Sequence, residues 1–526
     1  MSLTQNFYAC FHANFTKTFT NTMRNFPKLV ACMLPFIFLL CQQGHANSGY
    51  TSDELAISKT YAYRLLTRQI STHPSKMFSD NIKPLALREI ALLYGQNPST
   101  NAFRFFNPSY MRNDRSFSQR LTFQPITEFR FIDLNASRKN TTIPGNSGET
   151  LNGHNTNILS ASGNLYLKDY LLMSHETRVI YDQETTSNEL YKFRFKKGFS
   201  NVSVSYAKES IVLGPGYFGN LMLSDNVEPE QIAMIKTEIP YKMPVLGHFR
   251  WYLWHIWYND EQRPNINPKL LGLRLSFKPT DYFELAVTRT SYFSGESGSK
   301  VNSFSDLWKL FTAEDENAPQ KTLNTDQLAG FDASLYLKDI KKYSPFVGGK
   351  IYTERVWNDV IAYWQDEDSD ESALFSPLGT SFLYGLFLTT GKFDITYEYV
   401  RTTRLIYAHH DFGRDGSSND GYIIGHFIGR DARAHLLELY YELHKKFHIS
   451  TTTGTIENGI SLAKPQETNL FGGGFSYFPS SQLQIDLNVN YLKRNLIDID
   501  SSPVNYLFID ERDEEIYAVL SANYLL

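Results

Sequence analysis

The chain has 526 residues, with 51 Lys+Arg against 55 Asp+Glu and a formal net charge of −4. This balance excludes a strongly basic nucleic-acid binder, and a hydrophobic content of 42% excludes a disordered chain. A mean hydropathy of −0.34 excludes a helical membrane protein with many apolar spans. A membrane β-barrel remains possible because half of each barrel strand is polar.

Residues 1–46 are predicted to be a secretory signal peptide. They contain three basic residues and no Asp or Glu before an apolar run over 29–40. Small residues then precede a cleavage site between Ala46 and Asn47. The alternative is an uncleaved membrane anchor, but the run is shorter than the roughly 20 residues that a span needs.

The three cysteines, Cys10, Cys32 and Cys41, all lie within this segment. The exported chain therefore has no disulfides, no thiolate metal site and no cysteine nucleophile. A long exported chain without disulfides needs another source of rigidity, which a large closed sheet would provide.

Residues 47–120 are predicted to form a helical plug and a linker. Thr51 and Glu54 have capping-box spacing before a helical pattern that continues to Ile70. A second helix is predicted over 85–94, with Gly95 as its stop. Two short helices cannot bury a core alone, so they must pack on something else.

Residues 121–526 are predicted to be a transmembrane β-barrel. Apolar residues alternate with polar ones over 483–491 and 393–399, and less cleanly over 516–526. Lipid outside the wall and water inside explain this alternation.

The connections between these strands also alternate in length. Short turns are predicted at 279–281, 390–392, 444–446 and 479–481. Long polar stretches occupy about 136–155, 213–229, 259–268, 295–325, 356–376, 406–432 and 497–512. They predict an all-β barrel of about 18 antiparallel strands, with nine loops at one end and eight turns at the other. A secreted sandwich or propeller is the alternative architecture.

With both chain ends at the turn side, the loops are expected to be extracellular and the helices periplasmic. The expected location is the outer membrane of a Gram-negative bacterium. Strand alternation from Phe283 places Arg289 on the lipid side of the wall. Its side chain therefore lies either at the level of the lipid headgroups or at a β-bulge that turns it inward, and we prefer the bulge.

One glycine-rich segment, residues 214–226, follows a predicted strand. Its glycines allow positive φ where the backbone turns back into the barrel mouth. It is either a tight loop or a direct ligand contact. Its candidate residues are Gly214, Pro215, Gly216, Ser224, Asp225 and Asn226.

This segment, together with 271–275, 285–290, 326–332, 407–410 and 425–432 in order, resembles the Wzi-type capsule assembly family. The resemblance implies an outer-membrane barrel of eighteen strands with a small helical bundle at its periplasmic end. It also implies a lectin that holds capsular polysaccharide at the cell surface.

Sugar binding would suit aromatic residues in two neighbouring long loops, because pyranose rings stack on flat side chains. The candidates are Trp308, Trp357, Tyr363 and Trp364. Each could instead belong to the interfacial aromatic girdle or pack against a loop helix.

The stretch 407–433 supplies further candidates, because guanidinium groups pair with the carboxylates of acidic sugars. They are His409, His410, Arg414, His426, Arg430 and Arg433. The alternative is a salt-bridge network that holds a long loop over the lumen. No metal site is expected, and the acidic run 366–371 is interpreted as a solvated charge cluster rather than a calcium loop.

The predicted function is binding and retention of capsular or extracellular polysaccharide, without catalysis and without a cofactor. Expected partners are this polymer, outer-membrane lipid or lipopolysaccharide and, further, the polysaccharide export machinery, but no nucleic acid. A porin-like channel for small solutes is the main alternative. A hydrolase that uses Ser224, His409 and His426 is a third hypothesis.

Overall fold

A computed structural model describes most of the chain after residue 50. The described residues are 51–58, 60–94, 120–137, 141–142, 150–151, 155–182, 185–259, 267–293, 301, 303, 306, 325–358, 380–408, 417–419, 422–462, 465–495 and 514–526. The predicted signal peptide, its cleavage site and Gly95 lie outside them.

Eighteen strand positions form the wall of the molecule. They are β1 (Leu121–Ala136), β2 (Asn155–Leu167), β3 (Leu171–Asp182), β4 (Thr186–Gly198), β5 (Val202–Glu209), β6 (Glu230–Thr237, continued by Tyr241–Met243), β7 (Gly247–Trp257), β8 (Lys269–Lys278), β9 (Phe283–Phe293), β10 (Thr325–Lys338), β11 (Gly348–Asn358), β12 (Thr380–Thr389), β13 (Phe393–Arg401), β14 (Ala432–His444), β15 (Phe447–Asn458), β16 (Gln466–Tyr477), β17 (Leu483–Asn495) and β18 (Glu514–Leu525).

The strands close into one antiparallel barrel, in which each pairs with its neighbours in sequence and β18 pairs with β1. Both parts of β6 pair with β7 and so share one position in the wall. The predicted fold class and strand number are confirmed. Closure leaves no unpaired edge in the barrel, which provides rigidity in a part of the chain whose described residues contain no cysteine.

The connections alternate as the sequence predicts, with eight at one end and nine at the other. The turn end contains all four predicted hairpin turns, including 390–392 between β12 and β13. Two of the nine connections at the loop end are short, at 183–185 and 459–465.

The outer face of the wall is apolar, as membrane lipid requires. Leu487 and Val489 on β17 are 40% and 42% exposed on this face. Arg289 lies in phase with Val287, and β9 keeps a continuous register against β8 and β10. The preferred bulge is therefore wrong: Arg289 faces outward near the loop end of β9 and donates a hydrogen bond to Gln327 Oε1.

The N-terminal segment contains two helices, α1 (Thr60–Thr72) and α2 (Leu87–Tyr94). The predicted capping box is wrong, because Thr51 and Glu54 precede α1 and Glu54–Leu55 instead pair with Leu85–Ala86. Among the described residues, no helix has the length and apolarity of a membrane span.

The main apolar core joins this segment to the barrel lumen. Leu66 and Ile70 of α1 and Ile90 of α2 are fully buried beside Leu213 and Trp254. The helices thus pack inside the barrel, which agrees with the prediction that they need another surface.

Candidate functional site

The connection between β5 and β6, residues 210–229, folds into the lumen and is called the lumen loop below. Leu221 and Met222 at its tip are almost fully buried. Gly214 begins its turn with a φ of +128°, a conformation that favours glycine. The Gly216 N–H donates to Asn220 Oδ1 at 2.7 Å and closes the turn.

Two carboxylates of the wall hold the tip of the lumen loop. Glu354 on β11 accepts from the N–H groups of Leu221 and Met222 at 2.7 and 3.0 Å. Glu398 on β13 accepts from the N–H groups of Tyr217 and Phe218 at 2.5 and 3.3 Å. A buried carboxylate is costly unless it is hydrogen-bonded, so these four N–H groups and the two carboxylates stabilise one another.

The N-terminal segment, called the plug below, lies against the other side of the lumen loop. The Gly214 N–H donates to the Asn81 carbonyl at 3.0 Å. The Tyr217 hydroxyl donates to Glu438 Oε2 at 2.8 Å and contacts Arg64 of α1. A cavity of about 250 Å³ remains between the two, lined by Lys83, Asp225 and aromatic rings.

Buried ion pairs fix the plug to the wall near the turn end. On one side, Arg68 Nε lies 2.8 Å from Asp394, and Lys350 Nζ lies 2.9 Å from Asp80. On another side, Glu54 lies 2.9 Å from Lys196 and 2.8 Å from Lys236. Partners on several strands give the plug a fixed position, because breaking a buried pair leaves an uncompensated charge.

The connection between β13 and β14, residues 402–431, is called the outer loop and covers the lumen loop from the loop end. The Tyr407 hydroxyl donates to the Leu221 carbonyl at 2.5 Å, and the Ser224 N–H donates to the Ile424 carbonyl at 2.9 Å. A Cβ at Gly425 would lie 2.2 Å from Tyr407 Oη, so only glycine allows this close approach.

The outer loop is also attached to the wall. Ser417 Oγ donates to Asp326 on β10 at 2.6 Å, and the Tyr292 hydroxyl donates to the Ser418 carbonyl at 2.8 Å. At the other end of the loop, Asp431 accepts from the Ser461 N–H and hydroxyl. Plug, lumen loop and outer loop therefore form three stacked tiers.

The motif residues of the sequence analysis mainly build these tiers. Gly214, Pro215, Gly216, Ser224, Asp225 and Asn226 all belong to the lumen loop. Two further segments of the family resemblance, 271–275 and 326–332, meet at the wall, where Arg274 Nη2 lies 3.0 Å from Asp332 Oδ1. The motif segment is therefore an internal loop, and its contact with a ligand stays a prediction.

His426 and Arg430 lie inside the outer loop. His426 is fully buried with its ring stacked on Phe427, at a centroid distance of 4.8 Å. Burial lowers the pKa of His426 to about 3, so its ring is neutral at pH 7. Arg430 is 8% exposed. Direct contact with a surface polymer would require this part of the loop to open.

Trp357 and Arg433 lie on the outer face of the wall near its loop end. The Trp357 ring packs against Phe331 at a centroid distance of 5.7 Å. Arg433 makes two hydrogen bonds to Glu457, at 2.9 and 2.7 Å. Such a place suits the interfacial aromatic girdle, which is the alternative expected for Trp357 from its sequence position.

The remaining candidates lie outside the described residues. They are Trp308, Tyr363, Trp364, His409, His410 and Arg414, with the acidic run 366–371. Their role in sugar binding stays a prediction.

Sequence reasoning missed the wall carboxylates that organise the lumen, Glu354, Asp394, Glu398 and Glu438. The alternation over 393–399 predicts that Asp394 and Glu398 face water, but both are fully buried. A usable signal is their charge, because acidic residues at inward strand positions need buried cationic or N–H partners when water is excluded.

The structure offers little support for a hydrolytic site in the described part of the chain. His426 Nε2 has no hydrogen-bond partner there, and Nδ1 accepts from the Ile428 N–H, so neither nitrogen activates Ser224. Within the same residues, no group of three or more His, Cys, Asp or Glu side chains is placed to hold a metal ion.

Comparison with known proteins agrees with this architecture. The family model described as capsule assembly protein Wzi matches residues 127–493. The solved structure of Wzi, described as a carbohydrate-binding outer-membrane β-barrel involved in group 1 capsule assembly in Escherichia coli, matches with a TM-score of 0.62 and 17% identity. That match covers 90% of this chain and 99% of the other.

A weaker match is the outer membrane protein OprD from Pseudomonas aeruginosa, with a TM-score of 0.44 and 9% identity over 78% of this chain and 96% of the other. No curated protein sequence matches significantly. The family match spans well over half of the chain, and the barrel follows the Wzi structure. The chain therefore belongs to the Wzi family of capsule assembly proteins.

Proposed function

We propose that this outer-membrane barrel binds capsular or extracellular polysaccharide and retains it at the cell surface without catalysis. The observation that carries the proposal is the stack of three tiers inside the lumen, which packs against the wall at β11 and β13. Because the lumen loop and the outer loop are bonded to the wall and to each other, the surface left for a long polymer is the loop end.

The orientation belongs to the same proposal. The loops face the outside of the cell, and the plug lies at the periplasmic end. The start of β1, the end of β18 and the short turns share the plug's side of the barrel, as is usual for bacterial outer-membrane barrels. Contact between the turn end and export proteins would place the barrel where the polymer emerges.

Weak contacts are sufficient for retention. A repeating polymer meets many copies of the same surface, so effective concentration raises the overall affinity above that of a single site. The loop tryptophans would stack on sugar rings, and Arg414 and Arg430 of the outer loop would pair with acidic groups.

Deletion of the gene tests the proposal. Cell-associated polysaccharide is expected to fall and released polysaccharide to rise, while total output stays constant. An unchanged distribution between cells and medium would contradict retention.

Variants of the tryptophans then locate the binding surface. The double variant Trp308→Ala and Trp364→Ala is expected to release polymer. Trp357→Ala is the matched control, because its ring packs on Phe331 at the wall, and it is expected to retain polymer. Normal retention in the double variant would refute the role of the two loop tryptophans.

Single-channel conductance separates retention from a porin-like function. The purified full chain is expected to show little steady conductance, because the three tiers are bonded to the wall and to one another inside the lumen. A large steady conductance would favour a channel for small solutes.

A further inference from the structure

Three arginines lie together on the outer wall at its loop end, and a fourth, Arg404, is exposed just beyond them. Arg355 is on β11, Arg401 ends β13, Arg433 is the second residue of β14, and Arg404 follows β13 by three residues. On the three strands, the adjacent residues in sequence are buried toward the lumen, as Val400 is beside Arg401. Alternation along each strand therefore directs these three arginines outward.

The strand register brings the arginines close together. Arg401 lies directly opposite Arg433, a spacing of about 5 Å between Cα atoms. Phe382 on β12 lies opposite both Arg355 and Arg401, which places these two about 10 Å apart. Like charges directly opposite each other are destabilising unless an anion offsets them.

The described residues offset only part of this charge. Arg433 pairs with Glu457, and Arg355 donates to the Tyr384 hydroxyl at 2.7 Å. Arg401 and Arg404 are exposed, and neither has an ionic partner in the part of the chain that the structure describes. Within these described residues, the patch thus keeps a positive charge and unpaired guanidinium donors.

The depth of the patch along the wall is set by the residues below it. On the outer face, the residues between the patch and the turn end are first aromatic, including Tyr384, Tyr397 and Tyr399. Leu437 and Leu439 on β14 follow them. Aromatic girdles mark the membrane interface. An outward arginine costs about 2–4 kcal/mol at the membrane midplane but about 0–1 near the interface, so the patch lies at the level of the lipid headgroups.

We propose that this patch of Arg355, Arg401, Arg404 and Arg433 binds the phosphate groups of the phosphorylated glycolipid in the outer leaflet. The guanidinium group forms paired, charge-assisted hydrogen bonds to phosphate, which suits it to this ligand. The inference rests on the outward orientation of the loops in the proposed function. It adds a lipid site on the wall that is separate from polymer contact at the loops.

Native mass spectrometry of the full chain in detergent tests the site. The probes are diphosphorylated lipid A and the same lipid after enzymatic removal of its phosphates. The double variant Arg401→Gln and Arg404→Gln is expected to bind diphosphorylated lipid A at least about tenfold more weakly, since charge-assisted hydrogen bonds are lost. Its binding of the dephosphorylated lipid should not change.

The control variant is Lys341→Gln with Lys342→Gln, which removes the same charge from an exposed turn at the opposite end. It is expected to bind lipid A like the wild type. Equal weakening in both variants, or none in the arginine variant, would overturn the proposal.

Cell-retained polysaccharide, measured in the same arginine variant, separates this inference from the proposed function. Retention should be unchanged, because the patch faces lipid. Loss of retained polymer with undiminished lipid A binding would assign the arginines to the polymer and overturn the lipid site. If gene deletion itself leaves the polymer on the cells, the proposed function fails while the lipid A result still stands.

Discussion

Two parts of the barrel wall show the same sequence alternation and have different surroundings. On β11 and β13, the inward residues Glu354, Asp394 and Glu398 are at most 3% exposed and bind the lumen loop or the plug. On β17, the inward residues Gln484, Asp486, Asn488 and Asn490 are half-exposed or exposed. We call these regions the packed wall and the open wall.

The difference lies in the kind of polar residue and not in its spacing. The packed wall has carboxylates that meet buried arginines and backbone N–H groups. The open wall has mainly amides, which water can satisfy without a fixed partner. Inward carboxylates on neighbouring strands therefore favour contact with another part of the chain, whereas an amide-rich strand suits a hydrated surface, even with a single carboxylate such as Asp486.

The largest expected effect comes from Asp394→Ala in the packed wall. It leaves Arg64 and Arg68 without their shared partner in a buried site, although each keeps one further carboxylate. Breaking a buried ion pair costs about 3–5 kcal/mol, and we expect plug docking to weaken by the lower end of this range. Hydrogen exchange of the α1 amides measures this opening free energy.

The charge-matched control is Asp486→Ala in the open wall. This carboxylate accepts from the Gln484 amide at 2.8 Å and is only partly buried. We expect a change within about 0.5 kcal/mol and normal protection of α1. Equal loss of protection in both variants would contradict the distinction between the two walls.

A smaller effect is expected from Glu354→Gln, which keeps the shape of the side chain but leaves one acceptor oxygen. One of the Leu221 and Met222 N–H groups then loses its partner, at a cost of about 1–3 kcal/mol. The lumen loop should become sensitive to added protease, which gel analysis of the folded barrel would detect. Gln484→Ala in the open wall is the control, and cleavage to the same extent there would show that the carboxylate is not what holds the loop.

Much of the fold could be predicted from the sequence. The number of strands, the positions of four hairpin turns and the helical N-terminal segment follow from local periodicity and loop length. The sequence near Thr51 could not show that the capping box is absent, because Glu54 forms ion pairs with Lys196 and Lys236 on distant strands. These tertiary ion pairs override the helix-start pattern.

Less of the candidate site could be predicted. The glycine-rich segment is expected to turn back toward the barrel, and it does, but how deeply it enters the lumen depends on Glu354 and Glu398, more than a hundred residues away. Arg289 shows the same limit, since strand register and the Gln327 contact decide its place. Alternation assigns a face to each residue, but it does not say what fills the space opposite.

A still smaller loss of stability is expected for Gly425→Ala, at the position where the outer loop meets the lumen loop. The added Cβ would lie 2.2 Å from Tyr407 Oη and 2.4 Å from the Leu221 carbonyl oxygen. Because a loop can shift more easily than a strand, we expect a cost on the order of 1 kcal/mol, the lower end for overpacking. Thermal unfolding compares this variant with Gly473→Ala on β16, where a Cβ meets nothing within 4 Å. A matching shift in the control would exclude overpacking as the cause.

The smallest effect is expected from acidification, through His426. Burial lowers the pKa of His426 to about 3 in the closed outer loop, while an open loop returns it to its usual range near 6.5. Between these values the open form binds more protons, so closure weakens as pH falls from about 6.5. The packed part of the outer loop should therefore exchange its amide hydrogens faster at pH 5 than at pH 7, after correction for the intrinsic rate. His426→Gln removes the titrating group and should abolish this dependence, whereas an unchanged dependence in the variant would assign it to another group.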